Sequence, residues 1–356
     1  DFLSRRYPLL ALKSPWMKNR FEKPIFFLCI ALAFLATHGY TVFYTPASHV
    51  PGKKTIYVQK GASFRLVAEG LEKAGVIRDA ASITYLANIL GAYKKIQAGE
   101  YELDPAMRPA EILDILVSGK VKTYPVTIPE GYNINEIAAE LERRGLADPA
   151  EFRKRALDKT LTAELGFKGA SLEGYLFPDT YSFAKGVSID DIILRMTGRF
   201  KAVYKEFGPL AHEKAVSMKT LVTMASIIEK ETGYAGERGL ISAVFHNRLK
   251  KGVPLQSDPT VIYAVRDFDG NLTKKHLLTK TSYNTYTNQG LPPGPIANPG
   301  RESIRAALNP ANADYLYFVS KNDGTHHFSK TLKEHNNAVN MYQKQRRVLS
   351  EGGKAG

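Results

Sequence analysis

Cysteine is all but missing from this chain. Cys29 stands alone among 356 residues, so no intrachain disulfide can form. CxxC and HExxH patterns are absent, and the eight histidines include one adjacent pair, His326-His327, without a clear set of metal-ligand partners. Neither a metal site nor a bound cofactor is expected. Asp, Glu, Lys and Arg are all absent between Lys23 and Lys53, the sharpest gap in the sequence. Acidic residues are in deficit, 35 against 49 basic ones, for a net charge of +14. The basic residues are spread along the chain, so nucleic acid is not the expected partner; a basic exterior suits an anionic membrane or an anionic cell-wall polymer.

The uncharged gap holds a continuous apolar run, Ile25 to Ala36, followed by Tyr40, Val42, Phe43 and Tyr44. Residues 24–44 make 21 positions, enough to cross a bilayer as a helix. Six Lys or Arg residues precede it (Arg5, Arg6, Lys13, Lys18, Arg20, Lys23), against Asp1 and Glu22. The positive-inside rule keeps residues 1–23 as a cytoplasmic basic tail and places everything after about residue 45 outside. Ala36-Thr37-His38 is a poor cleavage site, and no lipobox precedes Cys29. A single-pass anchor in the cytoplasmic (inner) membrane is expected, with membrane lipid as its partner.

With 44% apolar and 24% charged residues, the remainder reads as folded domains. An internal repeat recurs at an offset of 70 residues, from Gly61 to Gly131. Val58-Gln59-Lys60-Gly61 leads to Leu71-Glu72-Lys73-Ala74-Gly75-Val76, and Ile128-Pro129-Glu130-Gly131 leads to Leu141-Glu142-Arg143-Arg144-Gly145-Leu146. In each copy a short strand ends in Gly, a helix follows, and a second Gly caps it. The helix faces correspond: Phe64, Val67, Ala68 and Leu71 in one, Ile134, Ile137, Ala138 and Leu141 in the other. Such units suit small α/β modules that grip cell-wall glycans. Further helices are predicted over 186–206, 211–231, around Leu240–Leu249 and over Asn336–Arg347. A hairpin is predicted where Leu316–Val319 meets Asn322-Asp323-Gly324. Helices and strands mix without βαβ alternation, which predicts an α+β class.

Glu229 ends an apolar helical stretch, Leu221 to Ile228, where a core residue would fit. At about 100° per residue it lies about 40° from Ala225, beside a stripe of Leu221, Ala225, Ile228 and Thr232, while Glu231 points to the opposite side. A carboxyl beside an apolar stripe is desolvated, which favours its protonated form, and a protonated glutamic acid in a cleft is what cleaves glycosidic bonds. The alternative is a helix-end glutamate in solvent, or paired with Lys230 or Arg248.

Four segments after residue 170 are dense in the amides, hydroxyls, carboxylates and aromatic faces that hold sugars. They are Leu172–Tyr181, the Glu229 helix end, Leu255–Tyr263 and Ser282–Tyr286, the last running into Gly290-Leu291-Pro292-Pro293-Gly294. Together with Ala98-Gly99-Glu100-Tyr101, Glu173-Gly174-Tyr175-Leu176-Phe177-Pro178-Asp179-Thr180-Tyr181, Ala225–Thr232, Leu255–Tyr263 and Tyr283-Asn284-Thr285-Tyr286, this ordered string resembles the MltG-type (YceG-like) endolytic murein transglycosylases from the anchor to about residue 345.

That resemblance implies a LysM-like module over 51–122, a second strand–helix repeat unit over 123–165, a mixed α+β transglycosylase domain over 166–345 and a flexible tail over 346–356. It implies a lyase that cuts the MurNAc–GlcNAc bond of peptidoglycan glycan strands to leave 1,6-anhydro ends, with peptidoglycan synthases as partners. It puts the catalytic role on Glu229, the first acid of Glu-Lys-Glu-Thr. Gln256, Asn284 and Tyr286 are the candidate sugar-binding residues, with Glu173, Tyr175, Asp258 and Tyr283 beside them. Two rivals remain open: a muramidase-type hydrolase with Asp258 or Glu237 as second carboxylate, and a non-catalytic peptidoglycan-binding scaffold.

Overall fold

A computed structural model describes residues 22–265 and 268–344. The basic tail, the final residues of the last predicted helix and the expected flexible tail lie mostly or wholly outside the described residues. The chain forms two compact units, residues 1–122 and 123–356, and the class is α+β, as predicted.

In the first unit, α1 (Glu22–Tyr44) is followed by β1 (Lys54–Val58), α2 (Phe64–Lys73), α3 (Ala80–Ile89), β2 (Gly99–Leu103) and α4 (Pro109–Ser118). The stretch Pro24–Tyr44 is long and apolar enough to span a membrane, and most of it is exposed. β1 pairs antiparallel with β2, Lys54 opposite Leu103 and Val58 opposite Gly99. Ser63 and Asp79 accept bonds from the first-turn amides of α2 and α3, which fixes where each helix starts. The expected face of α2 is buried, and Val42 from the end of α1 joins the same core.

The second unit contains β3 (Thr123–Thr127), α5 (Ile134–Arg143), α6 (Pro149–Ala156), α7 (Lys159–Glu164), β4 (Thr180–Ala184), α8 (Ile189–Glu213), α9 (Met218–Glu231), α10 (Arg238–Lys250), α11 (Asp258–Ala264), α12 (Lys274–Leu278), α13 (Arg301–Leu308), β5 (Tyr317–Ser320), β6 (His326–Ser329) and α14 (Leu332–Val339). One turn of π-helix, Asn340–Lys344, extends α14. The second repeat helix, α5, buries Ile134, Ile137, Ala138 and Leu141 as the spacing predicts. Its strand β3 pairs with β4 at the start of the following segment, so this repeat shares one core with α8 and α9. The predicted hairpin is β5–β6, with Tyr317 opposite Ser329 and Ser320 opposite His326.

Helix α9 is the axis of this unit. It packs against α8, α10, α11 and α13, and every residue from Leu221 to Ile228 is buried. A helix apolar on all sides is a core helix, and its two terminal carboxylates emerge on different sides of it.

Candidate active site

Glu229 and Glu231 are two residues apart on α9, about 200° around the axis. The side chain of Glu229 is 6% exposed. Its Oε2 accepts from the Gly300 N–H at the start of α13 (2.8 Å) and its Oε1 from Nη2 of Arg238 (3.3 Å). Arg238 also faces Glu130 at 3.6 Å. Burial and the charge of Glu229 hold the Glu130 carboxyl above the usual range, with Arg238 opposing them. A helix N-terminus and a guanidinium are both anion partners, and here they occupy both oxygens of Glu229.

Glu231 lies on the other side, at the wall of a cleft of about 540 Å³. Arg248, Gln256, Asp258 and Tyr286 line this cleft with it, and the β5–β6 hairpin and α14 close it through Tyr317, His326 and His335. The Ser257 hydroxyl donates to Oε1 of Glu231. Burial pushes the Glu231 carboxyl up to about 7; the Ser257 bond works against that rise, and the charge of Asp258 adds to it.

Gln256 is placed by an unusual backbone. Its φ is +53°, a left-handed conformation that a non-glycine residue holds only when its surroundings impose it. The Gln256 N–H donates to the Thr285 carbonyl (3.1 Å). Its side-chain carbonyl accepts from Arg248, whose other nitrogens donate to the Pro254 and Leu316 carbonyls (2.9 and 3.0 Å). The Tyr286 hydroxyl donates to Asp258, which opens α11.

The remaining candidates are not in the cleft. Glu173 is 3% exposed; its carboxylate accepts from the Ile134 N–H (3.2 Å), Asn298 Nδ2 (3.1 Å) and the Tyr263 hydroxyl (3.1 Å). Burial pushes Glu173 up to about 7 despite those bonds. Tyr175 is buried, stacked on Phe167 at 4.4 Å. Asn284 is buried, donating to the Leu277 and Thr279 carbonyls and accepting from the Tyr286 N–H, so it shapes the loop that presents Tyr286. Tyr283 packs on Tyr263 at 5.0 Å. Interior hydrogen bonds take up Glu173 and Asn284, and ring packing takes up Tyr175 and Tyr283.

Glu237, the rival second carboxylate, is 7% exposed, and His326 occupies both of its oxygens. Glu231, Arg248 and His326 line the cleft although sequence spacing alone does not nominate them, and the buried Ser257 reaches it only through its bond to Glu231. A signal for Glu231 was there: it is the other acid of the same helix end, on the side away from the stripe.

Comparison with known proteins places this geometry in context. A model of the YceG-like family matches residues 56–341. An endolytic murein transglycosylase of Bacillus subtilis is 37% identical over 308 residues, 81% of this chain and 84% of that protein. One of Streptococcus pneumoniae is 29% identical over 350 residues, and the match spans 87% of this chain but 63% of that longer protein. A crystallised YceG-like protein of Listeria monocytogenes superposes with a TM-score of 0.57 at 35% identity, over 81% of this chain and all of that one.

Proposed function

Because this chain belongs to the YceG-like family, we propose that it is a membrane-anchored endolytic murein transglycosylase, a lyase of peptidoglycan glycan strands, and that Glu231 rather than Glu229 is its acid. One observation carries the choice of residue. Glu231 shares an open cleft with Gln256, Asp258 and Tyr286, whereas both oxygens of Glu229 are already bound by protein donors.

The mechanism follows from that placement. Protonated Glu231 donates its hydrogen to the oxygen linking MurNAc to GlcNAc as the bond from C1 breaks. The resulting carboxylate takes the hydrogen of the muramoyl C6 hydroxyl, whose oxygen attacks C1 and closes the 1,6-anhydro ring. One carboxyl gives and regains one hydrogen, and no water is consumed. The nucleophile belongs to the substrate and is held by its own ring, so a second carboxylate is unnecessary. The Ser257 hydroxyl orients the acid, and the side-chain amide of Gln256, tethered by Arg248, is the candidate donor to a sugar acetamido group.

Two finer readings belong here. The β1–α2–α3–β2 order with antiparallel strands supports a LysM-like glycan-gripping role for residues 51–122. The apolar helix Pro24–Tyr44 after a basic segment supports a single-pass anchor in the cytoplasmic membrane, with residues beyond about 45 outside and membrane-bound synthases within reach. Protease added to spheroplasts should therefore digest the chain down to the anchor; survival of the second unit would reverse the topology.

Mass spectrometry of purified sacculi treated with the full chain is the direct test. Fragments should end in anhydromuramoyl units, one water lighter than hydrolysis products. Deleting residues 51–122 should lower the yield from insoluble sacculi more than from short soluble strands. Hydrated ends would favour the hydrolase, and intact sacculi the scaffold.

A further inference from the structure

Glu237 is the last residue of the single 3-10 turn Ala235–Glu237 that leads into α10, and it engages one residue twice. Its Oε1 accepts from the His326 backbone N–H (2.9 Å), and its Oε2 meets His326 Nδ1 at 2.7 Å. The backbone bond alone would pin β6; the second bond fixes the ring. Phe318 packs edge-on against that ring, centroids 5.5 Å apart at 89°. The His326 side chain is 13% exposed and lines the cleft that holds Glu231. Its Nε2 has no hydrogen-bond partner among the described residues. Tyr317, another residue of this wall, is already engaged: His335 stacks on its ring at 5.2 Å and the Arg248 guanidinium lies 5.3 Å over it.

A carboxylate only accepts, so the clamp keeps a hydrogen on Nδ1 and leaves Nε2 to the cleft. We propose that His326, clamped by Glu237, binds a hydroxyl of the amino sugar seated at Glu231, and that the β5–β6 wall is a saccharide subsite. This rests on the transglycosylase reading and names the part of the cleft that fixes where the sugar ring lies. A sugar hydroxyl donating to Nε2 would use the one acceptor that the clamp leaves facing the cleft. Glu237 acts only through His326 and is a positioning residue.

The test uses the full chain on uncrosslinked glycan strands. His326→Ala should lower kcat/KM about tenfold, the effect of losing one hydrogen bond to a bound sugar. Free imidazole should restore part of that loss, which it would not do for a purely structural residue. Glu237→Gln, which keeps an acceptor but loses the charge, should give a smaller fall, mostly in KM. Strand retention by a Glu231→Gln chain should weaken about as much when His326→Ala is added. If His326→Ala does not melt cooperatively, His326→Gln, which fills the space with an amide, is read instead. A cooperatively melting variant with kcat/KM and retention within twofold of its parent overturns the proposal. Full activity of Glu231→Gln itself would sink the acid assignment instead, and the His326 comparison would then be read on the wild-type background.

Discussion

Glu231→Gln should leave a folded chain whose release of anhydro-ended fragments falls by about 10²–10⁴-fold, the range general acid–base help supplies. Glu229→Gln should do the opposite. It weakens the bonds to Arg238 and Gly300 at a nearly buried position, so it should cost stability, about 1–3 kcal/mol, while turnover stays within a few-fold of wild type. Equal losses of turnover in both variants, or the reverse order, would return the catalytic role to Glu229.

The pH dependence separates the two residues further. Burial holds the Glu231 carboxyl up near 7, so the hydrogen it donates is present below that pH and lost above it. Turnover should fall about tenfold per unit on the alkaline side, as for one essential acid. Stability has the same sign: between the usual value of 4.5 and about 7 the folded chain binds more protons than the unfolded one. Stability contributed by the protonated form is therefore full below 4.5 and lost as pH rises through 7. Glu173, raised for the same reason, adds to this slope, so Glu231→Gln should flatten it and not abolish it.

Gly174→Ala should be the most damaging single-methyl change in the second unit. Gly174 has a φ of +87°, and an added Cβ would lie 2.6 Å from Pro295 Cβ and Cγ and 2.8 Å from Val222 Cγ1. None of these atoms is the loose end of a side chain: Pro295 is a ring in the loop before α13, and Val222 is in the middle of α9. The left-handed backbone costs a residue with Cβ roughly 1–2 kcal/mol, and overpacking about 1–3 kcal/mol more. A domain of this size loses about 2–4 °C for each kcal/mol, so its calorimetric midpoint should drop by roughly 4–20 °C. A drop of under about 2 °C would mean that this loop does not press on α9 as closely as described. Because α9 carries Glu231, the same contact holds the acid in register with Ser257.

Much of the fold is legible in the residues themselves. The faces of α2 and α5 follow from 3.6-residue spacing, and their starts from Ser63 and Asn133 at the caps. The β5–β6 hairpin follows from Asn322-Asp323-Gly324 between apolar strands, and the membrane-length helix from an uncharged run. Less was visible where groups satisfy one another inside the protein. Glu173, Tyr175 and Asn284 look like ligand-binding residues in a linear chain because polar and aromatic groups cluster there; the partners that occupy them come from residues as distant as Ile134, Asn298 and Phe167.

What the sequence determined by itself is local: periodicity, caps, turns, the membrane-length apolar helix, and the presence of two acids at the end of an apolar helix. Which acid meets the cleft was decided only by tertiary structure. A helix buried on every side has no exposed face to serve as a reference, so the phase of Glu229 against Glu231 carries no direction until neighbours surround it. α13 and Arg238 close over one side, while the Gln256 turn, the Tyr286 loop and the β5–β6 hairpin leave the other open. Those neighbours are up to about a hundred residues away along the chain, beyond the reach of any helical repeat.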